Sequence, residues 1–299
     1  MRAASGTVFD VLVNQVLAVE PCGTDRFVGT HPADSFDRVY GGEVAAQGLC
    51  AAARTVAPGR EVHSLHVSFL RIGDPTRPVE YTVARLRDST QFSTRQVSAE
   101  QAGRPIAVMT VSFQAPRPGL EHAAGPRADV PAPDTLARRG DQLAAAFPVD
   151  PPASARMPWP IDIRYIDHQP WHGGGDPENR MWLRGDGTLG DDPLVHACVL
   201  TYASDLTMFE PVAYAHSPGE LTWEQLTRGQ VRGASLDHSI WFHRAFRADE
   251  WLLHEQVSPS AHGSRGLTTS RFFTAAGDLV ASAAQEVALL VEPVQGGGG

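Results

Sequence analysis

The feature that most limits what this chain can fold into is that its second half repeats the plan of its first. After Gly41-Gly42 comes a run of small residues, EVAAQGLCAAARTV. Strands follow, and then the hairpin STRQVSAEQAGRPIAVMTVSF with Gly103 at its turn. Downstream, a stretch from Pro193 to Met208, uncharged apart from Asp205, comes before HSIWFHRAF, which parallels HSLHVSFLR at 63–71. TTSRFFTAAGDLVASAAQEVAL then parallels the first hairpin, with Gly277 placed as Gly103 is. Recurrence of one supersecondary unit in order, with the same turn chemistry, is the mark of a duplicated fold.

Each unit reads as α+β. Ser5–Ala18 has Phe9, Leu12, Val13, Val16 and Leu17 at helical spacing. The Ala- and Gly-rich run is expected to be a helix able to sit close to a sheet. Past Pro58 the period changes to two: Val62, Leu65, Val67 and Phe69, then Val79, Tyr81 and Val83, then 92–100 and 106–113. In the second half Arg180–Arg184 reads as a strand and Pro193–Met208 as a helix, with further strands after His238 and Trp251. The Pro- and Gly-rich 117–175, with one short helix near Leu136–Ala146, is too long a structureless stretch for the inside of a unit. The expected division is a first unit over 1–116, a connection over 117–175, a second unit over 176–292 and a disordered tail over 293–299. A single antiparallel unit leaves a sheet edge unpaired. Two units can join edges into one continuous sheet.

Composition narrows the function. A formal net charge of −9 gives no reason to expect nucleic-acid or anionic-lipid binding. Three scattered cysteines, Cys22, Cys50 and Cys198, argue against a disulfide framework and for a reducing, cytoplasmic setting. Asp10 and Asn14 interrupt the N-terminal apolar stretch, which lacks the long uncharged core expected of a signal peptide. No window approaches the ~20 apolar residues that span a bilayer, and the Gly-rich tail is no peroxisomal address.

Several ordered motifs resemble the acyl-CoA thioesterase II family. RVYGGEVAAQGL, HSLHVSFLRIGD, LRDSTQFSTRQV and MTVSFQAP resemble its first half; TYASDLTMFEPV, ASLDHSIWFHRAF, DEWLLHEQ and LVASAAQEVAL resemble its second. The resemblance runs from about Val16 to Leu290. It implies a tandem double hotdog: two antiparallel sheets, each wrapped round a central helix and joined into one. It implies hydrolysis of fatty acyl-CoA to free acid and coenzyme A in a homo-oligomer, dimer or tetramer, without a cofactor. It places the catalytic roles on Asp205, Ser235 and Gln285.

Those residue types suit the chemistry. A thioester carbonyl needs a nucleophile, a proton acceptor and donors for the developing oxyanion. Asp205 is expected to take a proton from water, provided the groove shelters it, while Ser235 and the non-titrating Gln285 orient that water. Gly41 and Gly42 let a ligand approach the helix backbone, and with Glu43 they are the expected substrate-binding positions. The family carries Gln where this chain has Glu43; a first-turn acid favoured by the helix dipole is the better reading than a second base.

Without the resemblance, Asp205 reads as a turn cap, and Ser235 and Gln285 as ordinary surface or strand residues. No GxSxG surrounds Ser235. A triad of Ser235, Asp237 and His238 or His243 is disfavoured, because residues this close on one strand seldom assemble one. His63, His66, His238 and His243 read as structural echoes of the duplication. His168, His172 and Asp176 flank a flexible GlyGlyGly, and no metal is expected. Arg71, Arg87 and Arg95 read equally as coenzyme A phosphate ligands or as strand-edge charge. A hotdog hydratase or dehydratase and a silent acyl-CoA binding protein are the competing functions. The first wants an Asp–His pair that the helix after Asp205 does not supply.

Overall fold

The computed structural model describes residues 7–31, 38–146, 159–167, 175–216, 225 and 231–291. Thr7 caps α1 (Val8–Val11) in a reciprocal box with Asp10, and the helix runs on into a π-turn over Leu12–Val16. A short hairpin, β1 (Glu20–Gly23) and β2 (Arg26–Gly29), precedes α2 (Gly41–Ala53). Then come β3 (Glu61–Phe69), β4 (Val79–Asp88), β5 (Phe92–Gln101) and β6 (Arg104–Gln114). The second half holds α3 (Arg139–Ala146), β7 (Ile161–Tyr165), β8 (Glu178–Gly185), α4 (Pro193–Ser204) and α5 (Glu210–Tyr214). It ends with β9 (Val231–Ser235), β10 (Asp237–Phe242), β11 (Leu252–His262), β12 (Arg265–Thr274) and β13 (Leu279–Val291).

Among the described residues these strands make one 13-stranded sheet in the order β1-β2-β4-β5-β6-β3-β10-β13-β12-β11-β8-β7, with β9 also on β13. The tandem double hotdog is therefore the fold. The halves meet where β10 pairs antiparallel with β3, His238 opposite Val67 and Ile240 opposite Leu65. That ladder removes the two free edges the separate units would carry. Counted outward from this junction, β3-β6-β5-β4-β2-β1 is mirrored by β10-β13-β12-β11-β8-β7.

The local chemistry explains the elements. The β5–β6 hairpin turns through Ala102 and Gly103, both at positive φ (49° and 70°), as a tight two-residue connection requires. Asp192 accepts from the Leu194 N–H at 2.9 Å, and Pro193 follows it, so α4 starts on a cap that sequence alone supports. Both central helices are buried nearly all round. α2 lies against β3–β6, and α4 lies beside α2 against the junction. Leu49, Leu65, Val67, Val97, Met109, Val111 and Phe113 join them in one core, each large apolar side chain contributing about 1.5–3 kcal/mol on burial.

Some elements differ from the sequence reading. The helix over 193–208 stops at Ser204, because Asp205 adopts the C-cap. The stretch 117–175 is more than a connection: it supplies α3 and the edge strand β7, which pairs with β8 through Ile163 and Leu183. Its Pro and Gly content conceals a five-residue strand whose partner lies beyond the loop. The 293–299 tail, His168 and His172 lie outside the described residues. Asp176 accepts from the Glu178 N–H.

Candidate active site

Asp205 ends α4 and is 8% exposed. A carboxylate there faces the negative end of its own helix dipole. Two features offset this. The Ser235 hydroxyl donates to Asp205 Oδ1 at 3.1 Å. On the other side stands the N-terminus of α2. A Cβ at Gly41 would fall 2.9 Å from Asp205 Oδ2 and 2.9 Å from the Phe69 ring, so only glycine lets that positive helix end and the carboxylate come together. Tyr40 caps α2 without a side-chain bond, which leaves the first N–H groups free of a capping side chain.

Ser235 closes β9, which pairs with β13 through Val287. Gln285 lies on the same strand, and its Nε2 donates to Ser235 Oγ at 2.8 Å. The amide thus presents Oε1 to His238 Nδ1, 2.6 Å away. This orientation puts the imidazole proton on Nδ1, while Nε2 lies 2.8 Å from the Ser204 hydroxyl, whose proton is shared with the Thr201 carbonyl at 3.0 Å. Burial pushes the His238 pKa below the usual histidine value, with the Asp205 charge opposing it. From the imidazole onward the donors point one way: His238 to Gln285, Gln285 to Ser235, Ser235 to Asp205. The three residues singled out in sequence stand in one hydrogen-bonded chain.

The expected substrate positions separate. Gly41 faces the carboxylate. Gly42 faces α4 instead: a Cβ there would meet the Tyr202 carbonyl and the Tyr40 hydroxyl, each at 2.6 Å. Tyr40 donates to that same carbonyl at 2.8 Å and satisfies a helix-end acceptor. Glu43 is in the first turn of α2 but is buried, with its carboxylate against His31 Nδ1. Arg95 is 1% exposed and bonded to Asp88 and Thr55, an internal clamp rather than a phosphate ligand. Arg71 bonds to the Pro105 carbonyl, and Arg87 lies over the Phe92 ring.

Sequence reasoning set His238 aside as structural. It sits instead at the centre of the chain, and Ser204 behind it was not considered. The triad reading finds no support, since His238 bonds to Gln285 and Ser204 and Asp237 Oδ1 accepts from the Glu286 N–H. His66 bonds to Ser239 across the junction and His243 to Ser282. Among the described residues no group of three or more His, Cys, Asp or Glu is placed to hold a metal. No helix among them is long and apolar enough to cross a membrane.

Farther along the same face, His254 stacks on Phe272 with centroids 4.0 Å apart. Burial, with His238 as a smaller cause, pushes its pKa down to about 3. The unfolded chain binds a proton here below about pH 6.5 that the folded chain refuses until about pH 3. The stability of the neutral ring is therefore present above 6.5 and lost as pH falls. His254→Leu removes that dependence. From pH 7.5 to pH 5 the gap between variant and parent in urea melts should move by about 2 kcal/mol in the variant's favour. Buried Glu210, with its carboxyl raised to about 7, pulls the other way in both proteins and cancels. A gap that does not move with pH would contradict the assignment of His254 as neutral and buried.

Comparisons with known proteins give the family. A family model described as "Acyl-CoA thioesterase" matches residues 152–288, and one for the "Acyl-CoA thioesterase N-terminal domain" matches 30–114. The chain is 36% identical to acyl-coenzyme A thioesterase 8 of Homo sapiens over 96% of this chain and 92% of that one. It is 32% identical to acyl-CoA thioesterase 2 of Haemophilus influenzae over 93% and 97%. The crystal structure of an acyl-CoA thioesterase II from Mycobacterium marinum is similar at a TM-score of 0.75 and 37% identity, covering 94% of this chain and 99% of that one.

Proposed function

The chain belongs to the acyl-CoA thioesterase II family and is a thioester hydrolase, and from that premise we propose that Asp205, Ser235 and Gln285 activate a water on a fatty acyl-CoA. The observation that carries this is the donor chain ending on the Asp205 carboxylate beside the α2 N-terminus. Ser235 and Gln285 fix where a water can sit, and Asp205 Oδ2 is left to accept its proton. The resulting hydroxide attacks the thioester carbonyl. Backbone N–H groups of the first turn of α2, beginning at Gly41, stabilise the oxyanion. Collapse breaks the C–S bond. Asp205 returns its proton to the sulfur, giving coenzyme A and the free acid. No step calls for a cofactor.

The hydratase reading has less support. It needs a histidine paired with the acid to move a proton at carbon, and the nitrogens of His238 bond to Ser204 and Gln285 rather than to Asp205. A silent binding protein has no use for the aligned donors. Sulfhydryl groups of Cys50 and Cys198 at 3.1 Å, unbridged, suit a cytoplasmic site of action. A dimer or tetramer, readable by light scattering, completes the proposal.

The test is release of free coenzyme A, trapped by a thiol reagent, from acyl-CoA of short, medium and long chain. Ser235→Ala keeps the carboxylate but removes its orienting donor. We expect kcat to fall by about 10- to 100-fold, since this hydrogen bond to a charged group is worth about 1.5–3 kcal/mol. Gln285→Ala should fall at least as far, because it also leaves His238 without its acceptor. Parent-like turnover in both variants would overturn the assignment of these two residues.

A further inference from the structure

The two repeats meet through their helices as well as through their sheets. Leu65 and Ile240 hold matching places in HSLHVSFLR and HSIWFHRAF, and they face each other across the β3–β10 ladder. A local two-fold relation between the repeats therefore passes through that pair. The same relation exchanges α2 and α4, which pack on each other. Where two such helices cross, a residue from one repeat must face a residue from the other. Here both are cysteines. Cys50 Sγ lies 3.1 Å from Cys198 Sγ, although 148 residues separate them along the chain.

Buried cysteine commonly serves as a small apolar filler, and both residues belong to the apolar core. Filling alone does not account for the distance. Carbon atoms, which are smaller than sulfur, settle at roughly 3.5–4.0 Å from each other. These sulfurs are closer than that. A bond between them, at about 2.05 Å, asks for a further approach of only about 1 Å. The third cysteine, Cys22, is exposed.

We propose that Cys50 and Cys198 form a reversible oxidation site, which hydrogen peroxide closes into a disulfide that staples the two central helices. Cys50 is 9% exposed and Cys198 1%. Burial also pushes the Cys198 thiol well above its ordinary pKa, which keeps it protonated and unreactive. Cys50 is therefore the sulfur that meets the peroxide. It attacks one peroxide oxygen and the O–O bond breaks. The thiol proton leaves with the other oxygen as water, and Cys50 becomes a sulfenic acid. The Cys198 sulfur then attacks the Cys50 sulfur. The S–O bond breaks, and the hydroxyl leaves with the Cys198 proton as a second water. The two thiols have given up two electrons and the peroxide has gained them. A dithiol reductant reverses the change by exchange. The staple joins the helix that begins at Gly41 to the helix that ends beside Asp205, so it holds the Gly41–Asp205 approach together. A bridge across so long a stretch of chain also restricts the unfolded state.

The test uses the full-length protein with Cys22→Ser, which removes the exposed thiol. It is treated with hydrogen peroxide, freed of it and divided, and one half is then reduced with dithiothreitol. Unreduced peptides are mapped by mass spectrometry and melting curves are recorded. We expect a linked Cys50–Cys198 peptide pair and a Tm raised by roughly 5–10 °C, both lost on reduction. Cys50→Ala and Cys198→Ala, treated alike, should gain neither, and either one serves if the other fails to fold. Two thiols still free after peroxide overturn the proposal, as does Cys50 carried on to a sulfinic acid without a bridge. A bridge that leaves Tm unchanged overturns the staple.

Discussion

Asp205→Asn is expected to lower kcat by about 100- to 10,000-fold, the span that general base catalysis contributes, while the protein stays folded. The amide has nearly the volume of the carboxylate and can still accept from Ser235. Packing around Gly41 and Phe69 therefore need not change. What is lost is the proton acceptor at Oδ2 and the charge facing the α2 N-terminus. KM should change much less than kcat, because the carboxylate acts on the water rather than on coenzyme A. Near-parent kcat in a folded Asp205→Asn protein would remove the general base from the account. A far-ultraviolet spectrum and a melting curve matched to the parent are the controls.

The second large effect concerns stability. Gly42→Ala puts a methyl group 2.6 Å from the Tyr202 carbonyl and from the Tyr40 hydroxyl. One obstacle is backbone in the last turn of α4, so it cannot swing aside as a long side chain would. α2 and α4 must separate, and the Tyr40–Tyr202 hydrogen bond must lengthen. Overpacking of this kind costs about 1–3 kcal/mol. For a chain of this size Tm falls by roughly 2–4 °C for each kcal/mol. Activity should fall as well, because Gly41 and Asp205 meet at the same helix crossing. Gly103→Ala is the contrast: nothing lies within 4 Å of a Cβ there, and its only penalty is the positive φ of 70°. Its activity should follow the parent. Equal melting temperatures for Gly42→Ala and the parent would contradict the tight crossing.

The fold was largely legible because its signals are local. Alternation at Leu65–Phe69 and Ile106–Phe113, the Ala-rich helix and the turn glycines each act within a few residues. Strand β7 and the β1–β2 hairpin were not legible. Four or five residues among prolines and glycines carry too little periodicity, and β2 and β7 are held in the sheet by β4 and β8, which lie beyond intervening segments.

The site divides the same way. Asp205, Ser235 and Gln285 were named through family resemblance; nothing local sets Gln285 apart from a solvent-facing residue on an Ala-rich strand. Its inward direction follows from the β13 register with β10 and β12, which no single strand reveals. His238 was passed over for that reason. Its meaning lies in Gln285, 47 residues away, and in Ser204, 34 residues away. Glu43 was legible as a first-turn acid, but its burial against His31 depends on a loop meeting a helix.

The account turns on a water delivered by Asp205, Ser235 and Gln285 directly to the thioester carbonyl. The most direct test is a single turnover in 18O-labelled water with enzyme in excess over acyl-CoA, quenched and analysed by mass spectrometry. The account predicts free acid carrying one 18O from the first turnover and no acyl group on the protein. Unlabelled acid, or an acyl adduct on Asp205 or Ser235, would contradict it.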